Sequence, residues 1–515
     1  MSSILTNTSA MVALQTLKNI NVGLGKIQTE ISTGKTVSNA KDNAAVWAIT
    51  KVMESDVKGF KGISESLSLG SATLEVARKS AETVTDLLTE IRSKIVSAQA
   101  ENVDRNKMQT DIAGLRSQIS TIAGSAQLYG LNMLVGTEDV QVLGSLDRGS
   151  DGSVTASTVT LKRFDITTSS GTYGSGAALN SNAVVSETAA NALNKTGNTA
   201  QMTMATAADY STGAFSLTVG GVQVDFAAGD LGNGDQAAAA TIVAARVNAL
   251  GIKGVQVAAT GAVLTLTSER AFEGLALSIS GATGAAYNAT LAQSTRFSAM
   301  NGTAGATSSG TISERALSVT FSANAAVKEG DSYQVSMGGQ QISYTARAQD
   351  SWEDIARGLK AGVDGKAIAG VTTSVVKNAS GAWQLKVDNN SATAMTLAAI
   401  GNEGGTAAGG LYGLDGIDVS TREGAKAALE NIDRMIGQAI DASSSFGSSQ
   451  SRLETQKSFV SLLSDALKSG IGSMVDTDME EASARLQALQ VQQQLSVQAL
   501  SIANQAPQTI LTLFR

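Results

Sequence analysis

From Val46 to Ala98 an apolar residue recurs at alternating steps of three and four, through Phe60, Ile63, Leu67, Leu74, Ala77, Ala81, Val84, Leu88, Ile91 and Ile95. Read in that register from Val46, Ile49 and Met53 onward, the seam lapses only at Asp56 and Gly70. Such spacing averages about 3.5 residues per repeat, the period that keeps one stripe of a helix against a partner helix. At about 1.5 Å per residue the helix would be roughly 80 Å long, far beyond the usual three or four turns. A helix of that length cannot bury its own stripe, so the rest of the chain must supply its partners.

Several segments qualify. Residues 10 to 31 carry the same seam in Ala10, Ala13, Leu17, Ile20, Leu24, Ile27 and Ile31. Gly34, Ser38 and Asn39 then interrupt it, and Asp42 or Asn43 is placed to cap the long helix. A third helix is expected from about Arg105, with Met108, Ile112, Leu115, Ile119, Ile122 and Ala126 in step, folding back antiparallel across the short polar link 101–104. Tyr129-Gly130-Leu131-Asn132 reads as the turn that ends it. After Gly416 the seam returns in Leu429, Ile432, Ile436 and Ala439, then in Leu453, Val460, Leu463, Leu467, Ile471 and Met474. Met479, Ala482, Leu486, Leu489, Leu500 and Ala503 complete it, with polar lapses at Gln493 and Ser496. The single proline, Pro507, leaves long helices uninterrupted.

Between about 137 and 416 the composition shifts to Gly, Ala, Ser and Thr, with short alternating strands. Two stretches there resemble each other: Leu217–Phe226 and Val335–Tyr344 each read as strand, Gly-Gly turn and strand. An amphipathic helix follows each, around Ile242–Val247 and Trp352–Leu359, and then two further strands. The expectation is two ββαββ units, with Trp352 and Trp383 in cores. The predicted fold is therefore multidomain: an all-α coiled-coil and helical-bundle rod formed by both termini, with central α+β, mainly β, outer domains inserted. Residues 1–45 plus 475–515 would form an inner terminal coiled coil and 46–140 plus 417–474 a helical rod domain. Residues 141–310 would hold the first ββαββ unit (about 215–280) in a variable outer region, and 311–416 the second.

Composition narrows the chemistry. The 515 residues exceed the roughly 250 to 300 that one hydrophobic core serves. There are no cysteines and no histidines, which removes disulfides, thiolate and imidazole metal ligands and His-activated nucleophiles. A net charge of -7 offers no basic patch for nucleic acid. Asp476, Asp478, Glu480 and Glu481 lack the Gly and spacing of a calcium loop and read as the acid-rich start of a helix. The opening residues lack a signal peptide's cationic start and apolar core, and no run nears the roughly 18 apolar residues of a membrane helix. Neither an enzyme, a cofactor, a nucleic-acid partner nor a membrane partner is expected.

The two ends together resemble bacterial flagellin. Ser32-Thr33-Gly34-Lys35 with Ala40-Lys41-Asp42-Asn43-Ala44-Ala45 is similar to that family's turn into its long helix. Gln450-Ser451-Arg452-Leu453, Asp476 to Glu481, and Ala503-Asn504-Gln505-Ala506-Pro507-Gln508 through Leu513-Phe514-Arg515 are similar to its C-terminal signature. The resemblance covers residues 1–140 and 417–515 and implies a subunit that self-assembles into a helical flagellar filament outside the cell, exported without a cleavable signal peptide. It further implies as partners an export chaperone, the flagellar export apparatus, and hook-associated and cap proteins. A hook-filament junction protein, or a filament subunit whose outer domains adhere, are the alternatives. Assembly contacts are expected at Leu17, Leu24, Ile31, Asp42, Asp56, Arg452, Leu486, Leu500 and Leu513, and the terminal helices are expected to order fully only against neighbouring subunits. Glu90, Arg92 and Lys94 stand where flagellins that activate the flagellin-sensing Toll-like receptor carry a different pattern: Glu90 replaces an Arg and Lys94 a Leu. A reversed charge and an apolar-to-cationic change at a contact surface predict weak or absent activation.

Overall fold

The structure is a computed structural model and describes residues 7–149, 153–185, 192–204, 214–232, 235–280, 290–293 and 308–513. Helices α1 (Thr8–Thr33), α2 (Ala44–Ser97) and α3 (Arg105–Ser125) come first; α6 (Arg422–Val475) and α7 (Met479–Leu513) come last, and a region of β-sheets lies between them in sequence. By contacts the chain divides into two compact units, Met1–Leu74 with Asp139–Leu161 and Ser448–Arg515, and Glu75–Glu138 with Lys162–Gly447. Both 54-residue helices, α2 and α6, contribute to each unit.

In the first unit α1 and α7 run antiparallel. Asn7 caps α1 by accepting from Ala10 N at 3.0 Å and donates its own amide to Ala503 O at 2.8 Å. Asn21 and Gln493 meet at 2.6 Å halfway along. At the far end Gly34, in the left-handed region at φ 66°, ends α1, and Thr36 N donates to Val475 O at 2.7 Å while Thr477 N donates to Gly34 O at 3.0 Å. The polar lapse at Gln493 therefore sits in the pairing and takes a polar partner.

The expected seam of α2 holds from Phe60 onward, where its positions are buried. Its first turns differ. Ile49 is exposed, whereas Thr50 is buried with its hydroxyl bonded to Val46 O, so the inward line runs Val46, Thr50, Met53, Val57, Phe60. Asp56 then lies beside the seam, and Gly70 within it, and both face a hairpin of β3 (Val140–Arg148) and β4 (Val154–Leu161). Arg148 donates to Asp56, at 3.3 Å from Nε. A Cβ on Gly70 would meet methyls of Val142 and Leu453 at 3.1 and 3.2 Å. Neither residue is an idle defect: one anchors the hairpin and the other makes room for it. The composition change near 137 places this hairpin in the outer region; instead it packs on the helices of the first unit, where Gln456 of α6 also donates to Gly144 O at 2.9 Å.

In the second unit α3 returns along α2, capped by Asp104, with Lys94 and Asp111 paired at 2.9 Å. Tyr129 and Gly130, both at positive φ, make the turn between β1 (Gln127–Leu128) and β2 (Leu131–Asn132). Short strands β5 (Ala183–Val185) and β6 (Ala192–Leu193) precede a doubled pattern. First come β7 (Asn198–Thr203), β8 (Phe215–Val219), β9 (Val222–Phe226), α4 (Gln236–Ala249), β10 (Val255–Thr260), β11 (Val263–Ser268) and β12 (Leu275–Ser280), with β13 (Thr290–Gln293) and β14 (Ser308–Ile312) at its margins. Then follow β15 (Leu317–Phe321), β16 (Ser332–Met337), β17 (Gln340–Thr345), α5 (Trp352–Gly365), β18 (Val371–Lys377), β19 (Trp383–Asn389), β20 (Met395–Thr396) and β21 (Ala398–Asn402).

The sheets enlarge the repeat that the sequence suggests. In each copy the two hairpins lie in different sheets, each completed by a flanking strand: β10-β11-β7 and β12-β8-β9 in one, β18-β19-β15 and β21-β16-β17 in the other. The repeating element is thus β-ββ-α-ββ-β. Its first turn uses Gly220 and Gly221 (φ 56° and 84°) in one copy and Gly338 and Gly339 (φ 54° and 75°) in the other, values that only glycine tolerates cheaply at both positions. Each copy has its own core, around Phe215, Phe226 and Val243 in the first and Phe321, Tyr333, Tyr344 and Leu359 in the second. Trp352 belongs to the latter, stacked on Phe321 at 5.9 Å with its Nε1 donating to Ala325 O. Trp383 is half-buried beneath the Lys377 ammonium.

Candidate assembly surfaces

Every seam position of α1 read from the sequence turns inward: Ile20, Leu24 and Ile27 are buried, and Ala10, Ala13, Leu17 and Ile31 half-buried. Leu486 and Leu500 are half-buried on the matching face of α7. These residues meet their own chain. Leu513 belongs to α7 by its backbone, but its side chain lies outside the described residues.

A second face of these helices stays open to solvent. Met11, Leu14 and Val22 form a second line on α1, and Val491, Leu495 and Ile502 one on α7, with exposures from 56 to 70%. Helix α6 adds Phe459 and Leu462, 57 and 71% exposed, and α2 adds Ile49 and Val52. The signal was in the sequence, since each set recurs at three or four residues, but it is shorter than the inner seam and is interrupted by Lys18 on α1 and Gln498 on α7. A two-helix unit with a wet apolar stripe on both members is marginal by itself in water. The arrangement can bind another apolar helix surface, and it offers no catalytic chemistry. Among the described residues no cluster of three carboxylates could hold a metal, and no helix is long and apolar enough to cross a membrane.

The charged candidates divide. Asp42 does not cap α2, a task taken by Asn43, whose side chain accepts from Val46 N at 3.2 Å. Asp42 instead gathers Ser38 N, Ser38 Oγ and Asn39 N within 3.1 Å, and these donors hold its carboxyl below the usual range. Asp56 is engaged with Arg148. Arg452 is exposed beside the buried Leu453. Glu90 is exposed, Arg92 reaches Asp433 of α6 at 2.6 Å, and Lys94 reaches Asp111 of α3 at 2.9 Å. Hydrogen bonding to Asp111 raises the Lys94 pKa and lowers that of its partner. At α7 the acid-rich start acts as a cap, with Asp478 accepting from Glu480 N at 2.9 Å and Glu481 N at 3.2 Å.

Comparison with known proteins adds an independent line. Residues 4–139 match the bacterial flagellin N-terminal helical region and residues 429–514 the bacterial flagellin C-terminal helical region. Among curated relatives, Flagellin D of Rhizobium meliloti (strain 1021) is 30% identical, and Flagellin A of Rhizobium meliloti 29% identical, each over the whole of both chains. Among solved structures, flagellar hook associated protein-3 from Legionella pneumophila aligns over 82% of this chain and 98% of its own at 10% identity and a TM-score of 0.32.

Proposed function

We propose how this chain builds a filament, starting from its membership of the bacterial flagellin family. It is a structural subunit of the extracellular flagellar filament and polymerises with copies of itself; it is not an enzyme. In our reading the exposed apolar lines of α1 and α7 are what polymerisation covers. In that reading residues 1–45 with 475–515 are the terminal coiled coil, 46–140 with 417–474 the helical rod domain, and the two repeats that come between them in sequence the outer domains.

The observation that carries this is the apolar line opposite the seam. Helix pairing inside one subunit uses one face of each terminal helix and leaves the second exposed, which supports its being covered by neighbours. Covering Leu14, Val22, Leu495 and Ile502 contributes about 1.5 to 3 kcal/mol per fully buried side chain, repeated in every subunit. Before assembly such exposed apolar ends need protection, which supports an export chaperone as a partner; the export apparatus and hook-associated and cap proteins belong to the same reading through the family. Passage outward without a cleavable signal peptide belongs to the same reading. Purified protein added to short filament seeds tests it: long filaments are expected, and shortened growth with Leu495→Asp or Ile502→Asp. Normal growth with both substitutions would refute the role of the α7 line.

Receptor recognition is a separate proposal. Glu90 and Lys94 present a reversed charge and a cation where activating flagellins carry Arg and Leu, and like-charge or desolvated contacts disfavour binding by several kcal/mol. Monomer in a receptor reporter assay is expected to give little or no signal; a potent response would overturn this.

A further inference from the structure

Between Ala427 and Gln438, helix α6 has two unlike faces. Ala428, Ile432, Met435 and Ala439 are buried and apolar. Positions 427, 431, 434 and 438, spaced four, three and four apart, form a second line that is polar at Asn431, Arg434 and Gln438, and that line receives the second outer repeat.

The contacts are directional. Lys360 of α5, only 1% exposed, lies 2.8 Å from Asp364, 3.3 Å from Glu430, 3.3 Å from Asn431 Oδ1 and 3.4 Å from Ala427 O. Asn431 Nδ2 donates to Asp364 at 3.0 Å, and the Thr373 hydroxyl donates to the other Asp364 oxygen. Arg434 Nη2 donates to Tyr412 O at 2.9 Å, and Arg347 Nη1 donates to Gln438 Oε1 at 2.9 Å while Arg347 also holds Asp350 at 3.0 Å. Apolar surface would bind α6 in many rotational settings. A line of buried donors and acceptors binds in one, since turning by a single residue, about 100°, strands every group. Energy is not what this seat maximises: Arg434 Nε and Nη1 are buried without a protein partner, and a buried ion pair is often no more stable than apolar residues of its size.

We propose that the polar line Ala427–Gln438 is an orienting seat, which fixes the rotational setting of the second outer repeat on α6 through the direction of its hydrogen bonds rather than through their net stability. The test uses the monomer and so does not depend on the filament reading. Because the chain has no cysteine, spin labels can be placed at Ser380→Cys, in the exposed β18–β19 turn, and Thr89→Cys, on the exposed face of α2. Pulsed electron–electron resonance then reads the distance distribution in the full chain, with and without the combined apolar replacement Lys360→Met, Asp364→Leu, Thr373→Val and Asn431→Leu. The expected result is a melting temperature within a few degrees of the parent and a distribution at least twice as wide. A distribution of parental width, whatever the melting temperature, overturns the proposal. Should the combined variant fail to fold, Gln438→Leu, which leaves the Lys360 cluster intact, decides in its place: widening supports the seat and parental width overturns it.

Discussion

Glycines on α2 show how one residue type can serve opposite ends within a single helix. Gly62 has open space around the position of a Cβ, whereas Gly70 lies against Val142 and Leu453. Helix propensity favours Ala over Gly by about 1 kcal/mol, so Gly62→Ala is expected to stabilise the monomer by up to about that amount. Gly70→Leu should instead cost about 1 to 3 kcal/mol through overpacking against the hairpin. Thermal or urea melts of the two variants check this; equal shifts of the same sign would refute the packing account. Gly70 was legible in the sequence only as a lapse, because a glycine that makes room looks the same as one that is tolerated. The Asp56 lapse was harder still. It arises from a change in the order of three and four steps ahead of Phe60, which an apolar Ile49 on the exposed face disguises.

At the scale of elements, the helices and the Gly-Gly hairpins could be read from period and turn chemistry, and the sheets could not. Strand order depends on contacts between residues far apart in the chain, such as β7 with β11 or β5 with β15, and no local pattern encodes them. The hairpin β3–β4 was misplaced for the related reason that its composition is that of the outer region while its packing partners are helical. Charge also acts here. Asp230, after β9, accepts from Arg246 of α4 at 2.7 Å, and hydrogen bonds from Arg246 and then from Ala227 N hold its carboxyl below the usual value. A carboxylate with a lowered folded pKa contributes stability above its unfolded pKa, about 3.9, and loses that contribution as pH falls through the folded value. Relative to Asp230→Asn, the parent should therefore melt higher at pH 7 in low salt, with the gap narrowing as pH falls below the unfolded value of about 3.9 and through the lower folded value. A gap that persists in acid would show that the pair is not its source.

For the whole molecule, composition and the seam already excluded catalysis by histidine or cysteine and pointed to association of helices. Which faces remain most open to neighbours was not legible in the seam, since Leu24 is buried and Leu17, Ile31, Leu486 and Leu500 are half-buried within the single chain. The central claim is that the opposite, exposed lines on these two helices are completed by other subunits. Amide hydrogen exchange, compared between monomer and filament, tests it most directly. Rapid exchange is expected through residues 8–33 and 479–513 in the monomer, with slowing of at least a hundredfold there on polymerisation and little change in the cores of the two outer repeats. Terminal helices that are already protected in the monomer, and unchanged in the filament, would contradict it.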